Sequence, residues 1–279
     1  CELAQVLLIM SQKRKFQMAL CAQKTPMHKI PKASEIRDNP TKSLGKLPQI
    51  LIEQIGNPKI VVGFDLETHG WPENSSSKGR IGSFGHYTMK DDESLKCARI
   101  VQIGWVVGGC RCDLEARSKC FLVKPNGFQV EEKATNFHGI SHEMATNNGE
   151  DLKDVLMEFM TDAMKASKDG GIVVAHQIEF DAGVIFEELG RCGFINLQNE
   201  WATIARNGFC TMSPVVGRWL LQSSNEEVGP TTVQHTLRLN ELAKMIIPEQ
   251  QVTKQHDSEY DAGLCRSIFL AIAERAQNK

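Results

Sequence analysis

Residues 61–68 read Val61-Val62-Gly63-Phe64-Asp65-Leu66-Glu67-Thr68. The run from Lys59 to Leu66 is β-branched and apolar, which predicts a buried strand. Side chains alternate along a strand, so Asp65 and Glu67 share one face and Phe64, Leu66 and Thr68 the other. Two carboxylates side by side at the end of a buried strand repel each other. A hard cation between them relieves that repulsion, because Mg²⁺ prefers carboxylate and water oxygens. An ordinary strand end reaching water is the competing explanation, and the pair alone does not decide.

On either side of this strand the chain changes character. Residues 1–58 carry nine Lys/Arg against four Asp/Glu, a net +5, which leaves −7 for the remainder of a chain whose formal charge is −2. Pro26, Pro31, Pro40 and Pro48 interrupt this part, and it has no sustained apolar period. It reads as a basic, mostly irregular extension, with a short helix expected over Leu47 to Ile55. Residues 59–279 read as a domain, interrupted by a long polar, Gly/Ser-rich loop at 69–98.

Within that domain, Arg99 to Val107 and Ala116 to Val123 predict a second and a third strand, with a turn at Gly108-Gly109. Leu152, Val155, Leu156, Phe159, Met160, Ala163 and Met164 form one apolar helical face, ended by Gly170-Gly171. Ile172 to Ala175 is a fourth, short strand. Helices follow at Asp181 to Leu189, in pieces over 197–222, at Leu237 to Ile247 and at Ser258 to Ala276. Strands first, then alternating helices and strands, indicate an α/β fold with a mixed sheet.

Composition excludes several classes. With 41% hydrophobic and 24% charged residues the chain is neither disordered nor histone-like. Its longest apolar run, Leu3 to Met10 broken by Gln5, is far short of the roughly 20 residues of a membrane span. The sequence opens on Cys1, so that run receives no targeting reading. Nine cysteines, an odd and scattered set, suit free thiols in a reducing, intracellular compartment. Cys97, Cys110, Cys112 and Cys120 lack the paired C-x-x-C spacing of structural zinc sites, and a metal role for them stays an alternative.

Two further acids stand at helix starts. Asp181 closes the stretch Val173-Val174-Ala175-His176-Gln177-Ile178-Glu179-Phe180-Asp181, after a buried strand. A first-turn acid has a plain explanation in the helix dipole. The last stretch is His256-Asp257-Ser258-Glu259-Tyr260-Asp261. Positions five apart on one helix lie about 140° apart, so His256 and Asp261 could not share a face. If Ser258 caps the helix, His256 lies on the incoming loop and both side chains can turn to one point.

In this order and on these elements, the residues resemble the DEDDh 3′–5′ exonucleases, the group containing polymerase proofreading subunits, oligoribonuclease and RNase T. Phe64-Asp65-Leu66-Glu67-Thr68 matches the first motif, and His176 to Asp181 the second. His256 and Asp261 match the third, with Asp257 where the sister branch has tyrosine. Arg99 to Trp105, Phe137-His138-Gly139-Ile140-Ser141 and Leu237 to Lys244 are further matches. The resemblance spans about residues 59–275 and does not reach residues 1–58.

The resemblance implies a ribonuclease H-like mixed sheet of about five strands flanked by helices. It implies that Asp65, Glu67, Asp181 and Asp261 hold two divalent cations, Mg²⁺ or Mn²⁺. His256 would be the general base, and the backbone around Leu66 and Thr68 would seat the terminal nucleotide. The reaction would be hydrolysis of the 3′-terminal phosphodiester of DNA or RNA, releasing nucleoside 5′-monophosphates. The acidic core leans toward nucleic-acid 3′ ends that are single-stranded or short, without a membrane partner. Many members dimerise, which keeps a homodimer open. A silent nucleic-acid-binding or scaffold domain of the same fold is the alternative function. Two departures stand out: Gln177 where the family usually has Asn, and the length of the 69–98 insertion. His69, His86 and His142 read as solvated loop residues, and His138 as close to the site without a catalytic role. Trp105 and Trp219 read as core.

Overall fold

The computed structural model describes residues 44–70, 95, 97–110, 114–223, 237–248, 250 and 256–277. All of them lie in the compact unit Pro31–Lys279. The Lys/Arg-rich residues 13–42, most of the 69–98 loop, Cys112, His86 and His235 lie outside the described residues.

Five strands form one mixed sheet: β1 (Ile60–Thr68), β2 (Ile100–Gly109), β3 (Arg117–Leu122), β4 (Ile172–Ala175) and β5 (Phe209–Cys210). Their spatial order is β3-β2-β1-β4-β5. β1 runs antiparallel to β2, with Asp65 opposite Gly104 and Glu67 opposite Gln102, and parallel to β4. A parallel neighbour requires a crossover, and the long helix between β3 and β4 provides it. This is the α/β mixed sheet expected from the sequence.

Alternation along β1 divides the core into two layers. Val62, Phe64 and Leu66 pack with Trp105, Phe159 and Trp201 against α4 (Leu152–Lys168), α5 (Ile178–Arg191) and α6 (Ile195–Arg206). Val61 faces the other side, with Val174, Phe209 and the apolar faces of α1 (Gln49–Ile55), α7 (Pro214–Ser223), α8 (Leu239–Ile246) and α9 (Ser258–Arg275). Helix α1 forms where a short helix was expected, and its Leu51 and Ile55 are buried in that second layer. Helix α9 lies directly on β1 and β2: a Cβ on Gly63 would collide with the Ala262 carbonyl, and one on Gly104 with the main chain of Ser258 and Glu259.

The structure departs from the sequence expectations in several places. Gly108-Gly109 is the end of β2, not a turn. Two seven-residue helices, α2 (Glu132–His138) and α3 (His142–Asn148), occupy a stretch expected to be loop. Helix α5 begins at Ile178, three residues before the expected start, and passes through Gly190. β5 was not foreseen as a strand. The tryptophans are core as expected, each with its indole N–H satisfied: Trp105 donates to Asp162 at 3.0 Å and Trp219 to the Gly45 carbonyl at 2.9 Å. No helix among the described residues is long and apolar enough to cross a membrane.

Candidate active site

β1 runs parallel to β4, whose last paired residue, Val174, lies opposite Gly63, two residues before Asp65, and open α/β sheets present ligand sites at the carboxyl ends of such strands. Asp65 and Glu67 sit at the end of β1, on the face that meets α9. Asp181 stands in the first turn of α5, which leaves β4 through His176-Gln177. Asp261 stands in the first turn of α9. Glu67, Asp181 and Asp261 are buried, and Asp65 is partly exposed.

These groups act on one another electrostatically. Burial pushes Asp65 well above the usual carboxylate range, and the charges of Asp181, Asp261, Glu67 and Asp257 push it further. Burial, reinforced by Glu67, raises Asp181 in the same way. Asp261 is raised to about 7, mainly by burial and with help from Asp257, against a lowering bond from His256. Four carboxylates without a cation are therefore a costly arrangement.

His256 completes the group. Its ring nitrogen and the carboxylates of Glu67 and Asp261 offer ligand atoms within 4.8 Å of one another. Its main-chain N–H donates to Asp261 Oδ2 at 3.0 Å. Burial lowers its ring below the ordinary histidine value. Phe137 packs against the imidazole with ring centroids 3.6 Å apart.

Two residues leading into the site have strained backbone. Gln177 (φ 65°) precedes α5 and His256 (φ 62°) precedes α9. Among the described residues these are the non-glycine positions with positive φ, and such strain collects at functional sites. Left-handed backbone suits asparagine; Gln177 adopts it as the N-cap of α5 without a side-chain capping bond.

The start of α9 differs from the expectation. Asp257, not Ser258, is the N-cap, and its carboxylate accepts from the Tyr260 N–H at 3.4 Å. Ser258 is the first helical residue. Its N–H and hydroxyl both donate to Gln102 Oε1, at 3.1 and 3.0 Å. Gln102, on β2 opposite Glu67, was not singled out in the sequence. A buried amide within an apolar strand was the available signal.

Leu66 has its side chain in the core, so only its main chain could meet a ligand. Thr68 Oγ1 donates to the Gly70 carbonyl at 3.3 Å. The second-motif His176 is bonded to Thr211 Oγ1 at 2.9 Å, and burial lowers it to about 4, so it is neutral. His69 differs from its solvated reading: it is partly buried, accepts from the Arg99 N–H at 3.2 Å and meets the Phe128 ring edge-on. Cys97 is exposed, Cys110 buried and Cys120 partly buried, and the candidate metal group among the described residues contains no cysteine.

The donors fit a hard cation: mutually repelling carboxylates, those of Glu67, Asp181 and Asp261 buried, with one imidazole beside two of them. Residues 62–269 match the family model RNase T, described as exonuclease. Among solved structures, the chain is similar to exonuclease I from Escherichia coli in complex with a dA16 oligonucleotide, at 14% identity and TM-score 0.53, over 79% of this chain and 41% of that one. It is also similar to exonuclease I from Methylocaldum szegediense, at 17% identity and TM-score 0.52, over 79% and 41%. A third similar structure, an exonuclease I whose architecture suggests how processivity is achieved, has 15% identity, TM-score 0.54 and coverage of 79% and 41%. The chain therefore spans about two fifths of the length of these proteins, and at such identities the likeness is one of fold. No curated protein is significantly similar to it.

Proposed function

Because the chain belongs to the exonuclease family, whose model covers residues 62–269, we propose that it is a metal-dependent 3′–5′ exonuclease. It hydrolyses the 3′-terminal phosphodiester of DNA or RNA and releases nucleoside 5′-monophosphates. What supports this reading is that Glu67, Asp261 and His256 offer ligand atoms within 4.8 Å of one another and that the charges of Asp181, Asp261 and Glu67 act on Asp65.

Asp65, Glu67, Asp181 and Asp261 would hold two divalent cations, Mg²⁺ or Mn²⁺. A bound pair stabilises charge on both the attacking and the leaving oxygen of an in-line displacement. His256 takes the proton of the attacking water on its ring nitrogen. Its lowered pKa keeps the ring neutral, and so able to accept, at neutral pH. The main chain at Leu66 and Thr68 seats the terminal nucleotide.

The substrate we favour is a short or single-stranded 3′ end. Residues 59–279 carry a net −7, which is unsuited to gripping long duplex through phosphates alone. The oligonucleotide held by the E. coli relative is consistent with this choice. The basic residues of the first 58 positions would add phosphate contacts. The odd, scattered set of nine cysteines in the sequence suits a reducing compartment.

A product ladder tests the reading. The protein and its Asp65→Ala variant are incubated with 5′-labelled single-stranded DNA, single-stranded RNA and their duplexes, in Mg²⁺ or EDTA. A metal-dependent ladder that shortens from the 3′ end and is absent in the variant is expected. Folded protein that binds these substrates but cuts none, in Mg²⁺ or Mn²⁺, would replace the enzyme with a binding domain of the same fold.

A further inference from the structure

The exit of β1 and the loop that carries His256 meet at one short helix. Two consecutive carbonyls beyond Glu67 accept from α2 and its cap. The Thr68 carbonyl accepts from His138 Nε2 at 3.1 Å, and the His69 carbonyl from the Glu131 N–H at 2.8 Å. The other ring nitrogen of His138, Nδ1, accepts the Ile140 N–H at 3.1 Å. A carbonyl can only accept and an amide N–H can only donate. Both bonds therefore require the neutral ring with its hydrogen on Nε2. Burial holds His138 below the ordinary histidine value, in keeping with that form.

Phe137, the preceding residue, has a different neighbour. It is 56% exposed, unusually open for a phenylalanine, yet its ring lies against the His256 imidazole. Consecutive helical residues point about 100° apart, so one turn of α2 can serve both partners.

We propose that Phe137 and His138 are a pair of positioning residues that tie the substrate seat to the general base. His138 fixes the main chain of Thr68, where the terminal nucleotide sits. Phe137 holds the His256 ring toward the reacting phosphate. Because both stand on α2, the seat and the base keep one spacing. The proposal rests on the exonuclease reading above.

The two halves separate kinetically. With a single-stranded 3′-ended oligonucleotide in Mg²⁺, His138→Ala should raise KM roughly tenfold, the factor carried by one ordinary hydrogen bond, with kcat changed less than about threefold. His138→Gln, which keeps an N–H donor of similar reach, should restore most of the affinity. Phe137→Ala should lower kcat roughly tenfold, with KM within about threefold of the parent, because it disturbs orientation and not binding. Phe137→Leu should retain most of the rate. Mn²⁺ affinity should match the parent in all four; Tm should match it in the Phe137 variants and fall modestly in the His138 variants, which lose the acceptor of the Ile140 N–H. If His138→Ala does not fold, His138→Asn replaces it, since its amide is too short to reach Thr68 and the same rise in KM is expected.

Equal impairment of His138→Gln and His138→Ala at comparable Tm would overturn the positioning role. Parental kinetics in His138→Ala and Phe137→Ala would overturn it while leaving the exonuclease reading standing. A parent protein that yields no ladder on any substrate would remove that reading, and the positioning pair with it.

Discussion

The main-chain N–H of His256 bonds to the carboxylate of Asp261 at 3.0 Å, so an acid in the first turn of α9 also anchors the loop before that turn. This bond answers the difficulty that positions five apart cannot share a helical face. His256 lies outside the helix at φ 62°, and the turn it makes brings it back toward Asp261.

Replacing Asp261 should therefore have two separable consequences. Asp261→Asn keeps an oxygen acceptor for the His256 N–H, whereas Asp261→Ala removes it. Both should lose at least about a hundredfold in activity, since each removes a charge that the proposed pair of cations would need. Only the alanine variant should lose protection of the His256 amide in hydrogen exchange. Equal protection in the two would mean that the bond does not hold the loop.

The clustered acids predict the pH dependence of stability. Asp261 titrates near 7 in the folded chain, against 3.8 ordinarily, and Asp65 and Asp181 are also raised. Between these values the folded chain keeps protons that the unfolded chain has released. Stability should fall as pH rises through that window, with the penalty complete above it and absent below the unfolded value. In EDTA the acids should lower Tm between about pH 5 and about pH 8, against the opposite contribution of the buried, neutral His176, and the Tm gained on adding Mg²⁺ should be larger at the higher pH, where protons no longer compete. A Tm gain that does not grow over this interval would contradict the burial of the acids.

Gln102 gives a third prediction. Its Oε1 accepts both the N–H and the hydroxyl of Ser258 and so ties the start of α9 to β2. Gln102→Ala leaves two buried donors without their acceptor and should cost about 1–3 kcal/mol in urea unfolding. Gln102→Glu keeps an acceptor but adds a charge opposite Glu67. It should be near parental stability with Mg²⁺ and clearly weaker in EDTA. Equal stability of the glutamate variant with and without Mg²⁺ would place residue 102 outside the field of the acids.

How much of this was legible follows from what a sequence can encode locally. The β-branched runs of β1, β2 and β4 announced themselves, and the acids stood at element ends where their position alone drew attention. β5 has two residues, too few for any period, and α2 and α3 span about two turns each. Gly108-Gly109 resembled a turn because glycine also serves close packing: Gly108 lies against the Arg266 side chain. The N-cap of α9 was placed one residue late because Asp257 and Ser258 are both good caps, and only the call of Gln102 on the Ser258 hydroxyl separates them. Gln102 and His138 act through partners far away in the chain, Ser258 and Thr68, and no spacing rule connects such pairs.

The packing of α9 supplies the last prediction. A Cβ on Gly104 would meet the main chain of Ser258 and Glu259, with Glu259 Cα at 2.6 Å, and main chain in a helix cannot step aside as a side chain can. Gly104→Ala must therefore lift the first turn of α9, which carries Asp261 and is tied to His256. Overpacking of this kind costs about 1–3 kcal/mol. Gly127→Ala is a matched control: its Cβ meets nothing within 4 Å, but φ is 76°, and the strain costs about 1–2 kcal/mol. Both variants should lose comparable stability in urea. Gly104→Ala should also lose at least about tenfold in kcat/KM, the scale on which small misplacement of catalytic groups is felt, while Gly127→Ala keeps parental activity. If the two fall alike in activity, the loss follows stability alone, and close contact between α9 and the sheet does not set the geometry of the site.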